Sequence, residues 1–189
     1  MEPLLAFPAS GLLCGQPFTL TQDILRQEPG GPVRPVARAI TGVRTAGVTA
    51  TRIFDLRRPA EPPGAHQRPA AAGPILPGLC GPDAFGGSFT VDLHPEPAAV
   101  LGFAVQKQVS RKQRGAMTVV RERLVAPDLG CAELESALSV FDSSGALVES
   151  TVVRAIELVP GEPDAALFAA PVSRGIWSVR PQGRPGASP

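Results

Sequence analysis

Tyrosine is absent from this 189-residue chain, tryptophan occurs once and histidine only twice. Nucleophilic catalysis pairs Ser or Cys with a base, and the imidazole bases here are His66 and His94 alone. Cys80 with His94 is the one pairing worth naming, and no Gly-x-Ser-x-Gly elbow or comparable context surrounds it. The expectation is therefore a protein with no catalytic residues. Cysteine is also scarce: Cys14, Cys80 and Cys131 are too few and too scattered for a structural zinc site, and no C-x-x-C occurs. They allow one disulfide, with Cys80 and Cys131 the preferred pair because both flank predicted strands. Buried free thiols are the alternative.

Charge of one sign is missing too. Eighteen basic and seventeen acidic residues give a formal net charge of +1, so no overall field would gather nucleic acid. The densest basic cluster, Lys107, Arg111, Lys112 and Arg114, has no interleaved aromatics on which bases could stack, and reads as a solvated hairpin tip. Gly30-Gly31 and Gly86-Gly87 are not followed by Lys-Ser/Thr, which leaves them as turn glycines rather than phosphate cradles. Asp83, Asp92 and Asp128 are not clustered, so neither a metal nor a cofactor is expected. Glu133 and Glu135, two apart on a predicted strand, read as one solvated face rather than an acid pair for glycoside chemistry.

Long hydrophobic runs are lacking as well. Nothing approaches the roughly 20 apolar residues of a membrane-spanning helix. The first residues, Met1 to Phe7, are apolar, but no Lys or Arg precedes Arg26 and Pro3 and Pro8 interrupt the run, which is not a convincing secretory signal. Leu12-Leu13-Cys14-Gly15 is a loose match to a bacterial lipidation site, with Leu13 where a small residue is expected.

What is abundant is proline, 22 residues, and glycine, 20, in a chain that is 43% hydrophobic. That bias suits many turns and short strands. Alternation of apolar and polar residues predicts strands at Gln16–Ile24, Val33–Ile40, Thr49–Leu56, Ser88–Leu93, Val100–Val109, Met117–Val125, Cys131–Phe141 and Ala146–Leu158. The last two join through Asp142-Ser143-Ser144-Gly145 as a long hairpin. Asp164 is placed to cap a single helical turn ending at Leu167 and Phe168. Residues 57–87 carry seven prolines and read as a long loop containing His66. Ile176–Val179 could add an edge strand. The expected organisation is an apolar segment at 1–15, one β-rich domain at 16–181 and a disordered tail at 182–189. The fold class is mainly β, a curved antiparallel sheet or incomplete barrel of about seven to nine strands with one or two helical turns.

The stretch from Glu122-Arg123-Leu124-Val125-Ala126-Pro127-Asp128-Leu129 through the hairpin to Glu162-Pro163-Asp164-Ala165-Ala166-Leu167-Phe168 and Pro171 resembles the C-terminal half of a group of uncharacterised bacterial proteins. In that group an "APDL"-like turn leads to two long strands and an "EPDxxLF…P" motif closes the domain. The group is similar in strand order to the periplasmic lipoprotein-carrier fold, an incomplete antiparallel barrel over an apolar cavity. The resemblance implies a periplasmic or cell-envelope location; without a convincing signal the alternative is cytoplasmic. It carries over no catalytic residues.

Two functional readings follow. In the first, one face of the sheet, drawing on Phe103, Val105, Leu134, Leu138, Val152 and Ile156, holds a lipid or a hydrophobic peptide. Ordinary core packing would use the same residues. In the second, the domain is structural and presents a sheet edge or the proline-rich segment to a protein partner.

Overall fold

The computed structural model describes residues 16–45, 48–59, 64–69, 80–82 and 85–168. The expected segments at 1–15, 176–179 and 182–189 lie outside them. Among the described residues there are eleven strands: β1 (Phe18–Gln27), β2 (Arg34–Val43), β3 (Val48–Asp55), β4 (Gly64–Pro69), β5 (Ser88–Asp92), β6 (Ala99–Val100), β7 (Phe103–Ala104), β8 (Gln106–Arg114), β9 (Met117–Ala126), β10 (Ala132–Phe141) and β11 (Leu147–Pro160). One short helix, α1 (Ala165–Phe168), follows. Nine strands form a single curved antiparallel sheet, in the order β4-β3-β2-β1-β11-β10-β9-β8-β5, which does not close on itself. β6 and β7 make a separate hairpin.

Neighbouring strands in sequence pair through short polar or glycine turns, which is why the chain meanders. At the β10–β11 hairpin, the Asp142 carboxylate accepts from the backbone amides of Ser144 (2.8 Å) and Ala146 (3.0 Å), so the turn expected from sequence is fixed by its first residue. Between β9 and β10, Pro127-Asp128-Leu129 forms a 3-10 turn. Gly130 and Cys131 then both take left-handed φ of 65°, and the Cys131 amide donates to the Ala126 carbonyl at 3.0 Å. The long connection from β1 to β11 is made through pairing of the chain's two halves over ten residue pairs, Phe18 with Pro160 through Gln27 with Ser150.

Three expectations need correction. Gly64–Pro69, read as loop, is an edge strand paired with β3; its proline ends the strand at the sheet margin, where a missing amide leaves no ladder bond unmade. The strand expected at Val100–Val109 is broken by a two-residue turn at Leu101 and Gly102, both at positive φ (50° and 84°), and only from Gln106 does β8 join the sheet. The third concerns Glu133 and Glu135. On β9 their register partners are the adjacent residues Val125 and Leu124, so Leu134 is a bulge and the two carboxylates lie on opposite faces. A second bulge falls at Ile156, because Thr21 and Gln22 pair with Glu157 and Ala155.

Register assigns side chains to two faces, here called the Leu20 face and the Asp23 face. Beyond the Glu135–Arg154 pair, β10 and β11 part: residues 155–160 pair with β1, and residues 132–134 with β9. The main core fills this end. Phe18, Leu20 and Ala155 from one side meet Ala126, Leu129 and Leu134 from the other, with Val100 and Val105 of the small hairpin region closing over them. Phe103, Leu124, Ala132, Val43 and Leu158 pack around that cluster. Gln22 spans the same gap above Ala155, its amide donating to the carbonyls of Glu133 (2.9 Å) and Leu134 (3.3 Å).

Candidate functional site

The Leu20 face carries an apolar band on one side of the sheet and a polar patch on the other. Across β3, β2, β1 and β11 that face carries Ile53, Ala37, Ala39, Leu20, Ile24, Val153, Ala155 and Leu158, according to the cross-strand register. Leu20, Ala39 and Ala155 are buried, and Ile24, Ile53, Val153 and Leu158 are half-buried. Threonines border the band: Thr41 and Thr51 share a hydrogen bond at 3.0 Å between their hydroxyls. β-Branched and small residues suit this flat, pleated surface.

Across β10, β9 and β8 the centre of the same face is polar, with Ser136, Arg121, Arg123, Gln108 and Ser110 in register, flanked by Val125 toward one end and by Leu138, Val119 and Val140 toward the other. Arg121 donates to Glu133 at 2.8 Å, and Arg123 lies 3.4 Å from the same carboxylate. Arg123 also donates to the Gln108 side-chain carbonyl at 2.8 Å. Gln108, only 1% exposed, passes this order on: its amide donates to the Cys80 carbonyl at 2.9 Å, and the Gln106 side chain accepts from the Cys80 amide at 3.2 Å. Cys80 is thus held as if it were a further strand residue. Its sulfur is bridged to Cys131, with 5.6 Å between the Cα atoms.

The opposite, Asp23 face carries a row of alternating charge running across four strands: Arg38, Asp23, Arg154 and Glu135. Arg38 and Asp23 form a two-point pair at 2.7 and 3.2 Å, and the hydrogen bond to Asp23 raises the Arg38 pKa further above its ordinary value. Beside this row, Leu124, Ala137 and Val152 line a cleft of about 220 Å³ together with Pro97, Glu96, Lys107, Glu122 and Glu135. α1 docks on the same face at the other side of the sheet. Pro163 and Leu167 press on Gly42, Arg44 stacks over the Phe168 ring at 3.9 Å, and Arg52 donates to the Ala166 carbonyl. Glu162 accepts from the Thr45 hydroxyl at 2.6 Å and from its amide at 3.2 Å; these bonds hold its pKa below the ordinary carboxylate value. The Glu-Pro-Asp-Ala-Ala-Leu-Phe motif is therefore a docking device for the chain after β11.

The six residues expected to share one binding face do not share one. Val105 and Leu134 belong to the core cluster and Phe103 packs against it, Leu138 lies on the Leu20 face, Val152 lines the cleft on the Asp23 face, and Ile156 is the bulge residue of β11, 42% exposed. Each bulge reverses the side on which later residues of its strand point, and simple alternation does not register it. The apolar band was missed because its members are mostly alanines and single branched residues spread over four strands. Among the described residues, no group of three His, Cys, Asp or Glu could hold a metal ion. His94 is exposed, and the sulfur of Cys80, the partner considered for it, is bridged to Cys131; the side chain of His66 lies outside the described residues. No described helix is long and apolar enough to cross a membrane.

No protein-family model matches the chain, and no curated protein matches it. Among solved structures, the chain is similar to a LolA superfamily protein from Nitrosomonas europaea, at 10% identity and a TM-score of 0.35, with 87% of this chain and 92% of that chain covered.

Proposed function

We propose that this is a non-enzymatic, periplasmic cell-envelope protein of a bacterium that holds a lipid or a hydrophobic polypeptide segment against the Leu20 face of its sheet. One observation carries the reading: the half-buried Ile53, Ala37, Ile24 and Val153, outside the core cluster, run across β3, β2, β1 and β11 and abut Ser136, Arg123 and Arg121 on the same face. An amphiphile needs that division, with apolar area for its chain and hydrogen-bonding groups near its head. An open sheet, unlike a closed small barrel, leaves the part of this face beyond the core cluster available to a ligand. The Cys80–Cys131 bridge supports an oxidising compartment, where such bonds persist.

Native mass spectrometry of the purified protein tests the reading. The intact mass is compared before and after denaturation and organic extraction. A co-purifying amphiphile, lost on extraction and reduced in an Ile24→Glu variant, supports it; a bare mass from an envelope preparation rich in lipid counts against it.

A further inference from the structure

The cleft on the Asp23 face is independent of the apolar band and lies on the other side of the sheet. Register sets Ala137 of β10 directly between Val152 of β11 and Glu122 of β9, with Leu124 two residues along β9 on the same face. The small Ala137 between Val152 and the Glu122 stem, with Leu124 diagonal to it, leaves the hollow, and Pro97, in the turn before β6, walls it on one side. The floor is apolar while the rim is charged: Glu96, Glu122 and Glu135 stand against the Lys107 ammonium, and Arg123, which also lines the cleft, turns its guanidinium to Gln108 and Glu133 on the other face. Lys107 is already committed to Glu122 at 2.8 Å. The remaining contact to Glu135, from Arg154, is 3.9 Å long, well beyond the roughly 2.7–2.9 Å of a close charge-assisted hydrogen bond. Among the described residues Glu96 makes no ion pair. A chain of net charge +1 therefore has a locally negative mouth over an apolar floor.

The geometry points to a second binding site, which takes an aliphatic chain ending in a cation, and its occupant is a lysine side chain of a protein partner laid on this face. Four methylenes and a nitrogen need about 150 Å³ if each heavy atom takes the ~30 Å³ of a liquid water. That fits within 220 Å³, whereas drug-sized ligands use pockets of about 300–1,000 Å³. A lysine stem covers apolar surface while its head stays among carboxylates. The alternating Arg38, Asp23, Arg154 and Glu135 row beside the cleft gives the polar rim that protein interfaces place around an apolar centre.

The test uses the full chain with labelled methyl groups, followed by NMR at Leu124, Ala137 and Val152. The probes are n-butylammonium, n-butanol, butyrate and the capped tripeptide Ala-Lys-Ala. Saturable shifts are expected for butylammonium and, more tightly, for the tripeptide, and none for butyrate. The double variant Glu96→Gln, Glu135→Gln should weaken both about five-fold or more, as loss of roughly 1 kcal/mol of ion pairing requires. Ala137→Leu should abolish binding with the spectrum elsewhere unchanged. Equal binding of butanol, insensitivity to the glutamine variants, or no saturable shift with any cation overturns the site. Binding of butylammonium but not of the tripeptide overturns the protein partner.

Discussion

The side-chain amide of Gln22 donates to the backbone carbonyl of Glu133 at 2.9 Å, across the small Ala155 that lies between them. β10 and β11 have already parted there, so the carbonyls of Glu133 and Leu134 receive from a side chain what a neighbouring strand supplies elsewhere. Replacing Gln22 with Met keeps the length and removes the donor. A destabilisation of about 1–3 kcal/mol is expected, the usual penalty for a buried acceptor left unmade. Urea unfolding measures it, and an unchanged midpoint would show that the gap between β10 and β11 is closed by the apolar cluster alone.

Gly42 is required by the docking of α1. A Cβ at this position would sit 2.6 Å from Leu167 Cδ2 and 2.9 Å from Pro163 Cβ. Gly42→Ala should lift the 163–168 segment while the sheet persists. Hydrogen exchange at the Leu167 amide, which donates to the Asp164 carbonyl at 3.0 Å, should accelerate at least ten-fold, with β8–β10 amides unaffected.

The Cys80–Cys131 bridge closes a loop with a sequence separation of 51 residues. The chain-entropy relation gives about 4 kcal/mol of stabilisation for a loop of this length. The paired variant Cys80→Ser, Cys131→Ser should lose up to that amount in denaturant titrations. A smaller loss, near 1 kcal/mol, would show that the Gln106 and Gln108 hydrogen bonds hold residue 80 in place without the bond.

Acid should loosen two surface clamps. Hydrogen bonds from Arg57 lower the Asp55 pKa to about 2, and those from Thr45 lower that of Glu162. A carboxylate with a depressed folded pKa contributes stability that is complete above its unfolded pKa and is lost as pH falls through the folded value. Stability should therefore decline from about pH 4 toward pH 2. Glu162→Gln should flatten part of that slope in thermal scans taken across the range; a slope identical to the wild type would remove Glu162 from the account.

Strands with strong alternation and a polar turn were legible in the sequence. Asp142 to Ala146 marked the β10–β11 hairpin, and Asp164 was read as a cap, as its 2.8 Å acceptance from the Ala166 amide shows. Positions where the backbone leaves its period were not. Leu134 and Ile156 look like ordinary members of alternating runs, yet each sits at a bulge and reassigns the neighbours that a binding face would use. Leu101 hid a hairpin tip, because a leucine at φ 50° occupies a turn position normally held by Asn, Asp or Gly. Arg44, Arg52 and Gly42 gave no sign of serving α1, since a docking role depends on which strands become neighbours.

The central claim is that the apolar band of the Leu20 face receives an acyl chain or a segment like it. Its most direct test is paramagnetic broadening of methyl resonances on titration with a fatty acid spin-labelled in its chain. Broadening concentrated at Ile24, Ile53 and Val153, with Leu25 and Val152 on the other face spared, is the expected result. Broadening centred on Val152, or none beyond that of free spin label, would contradict it.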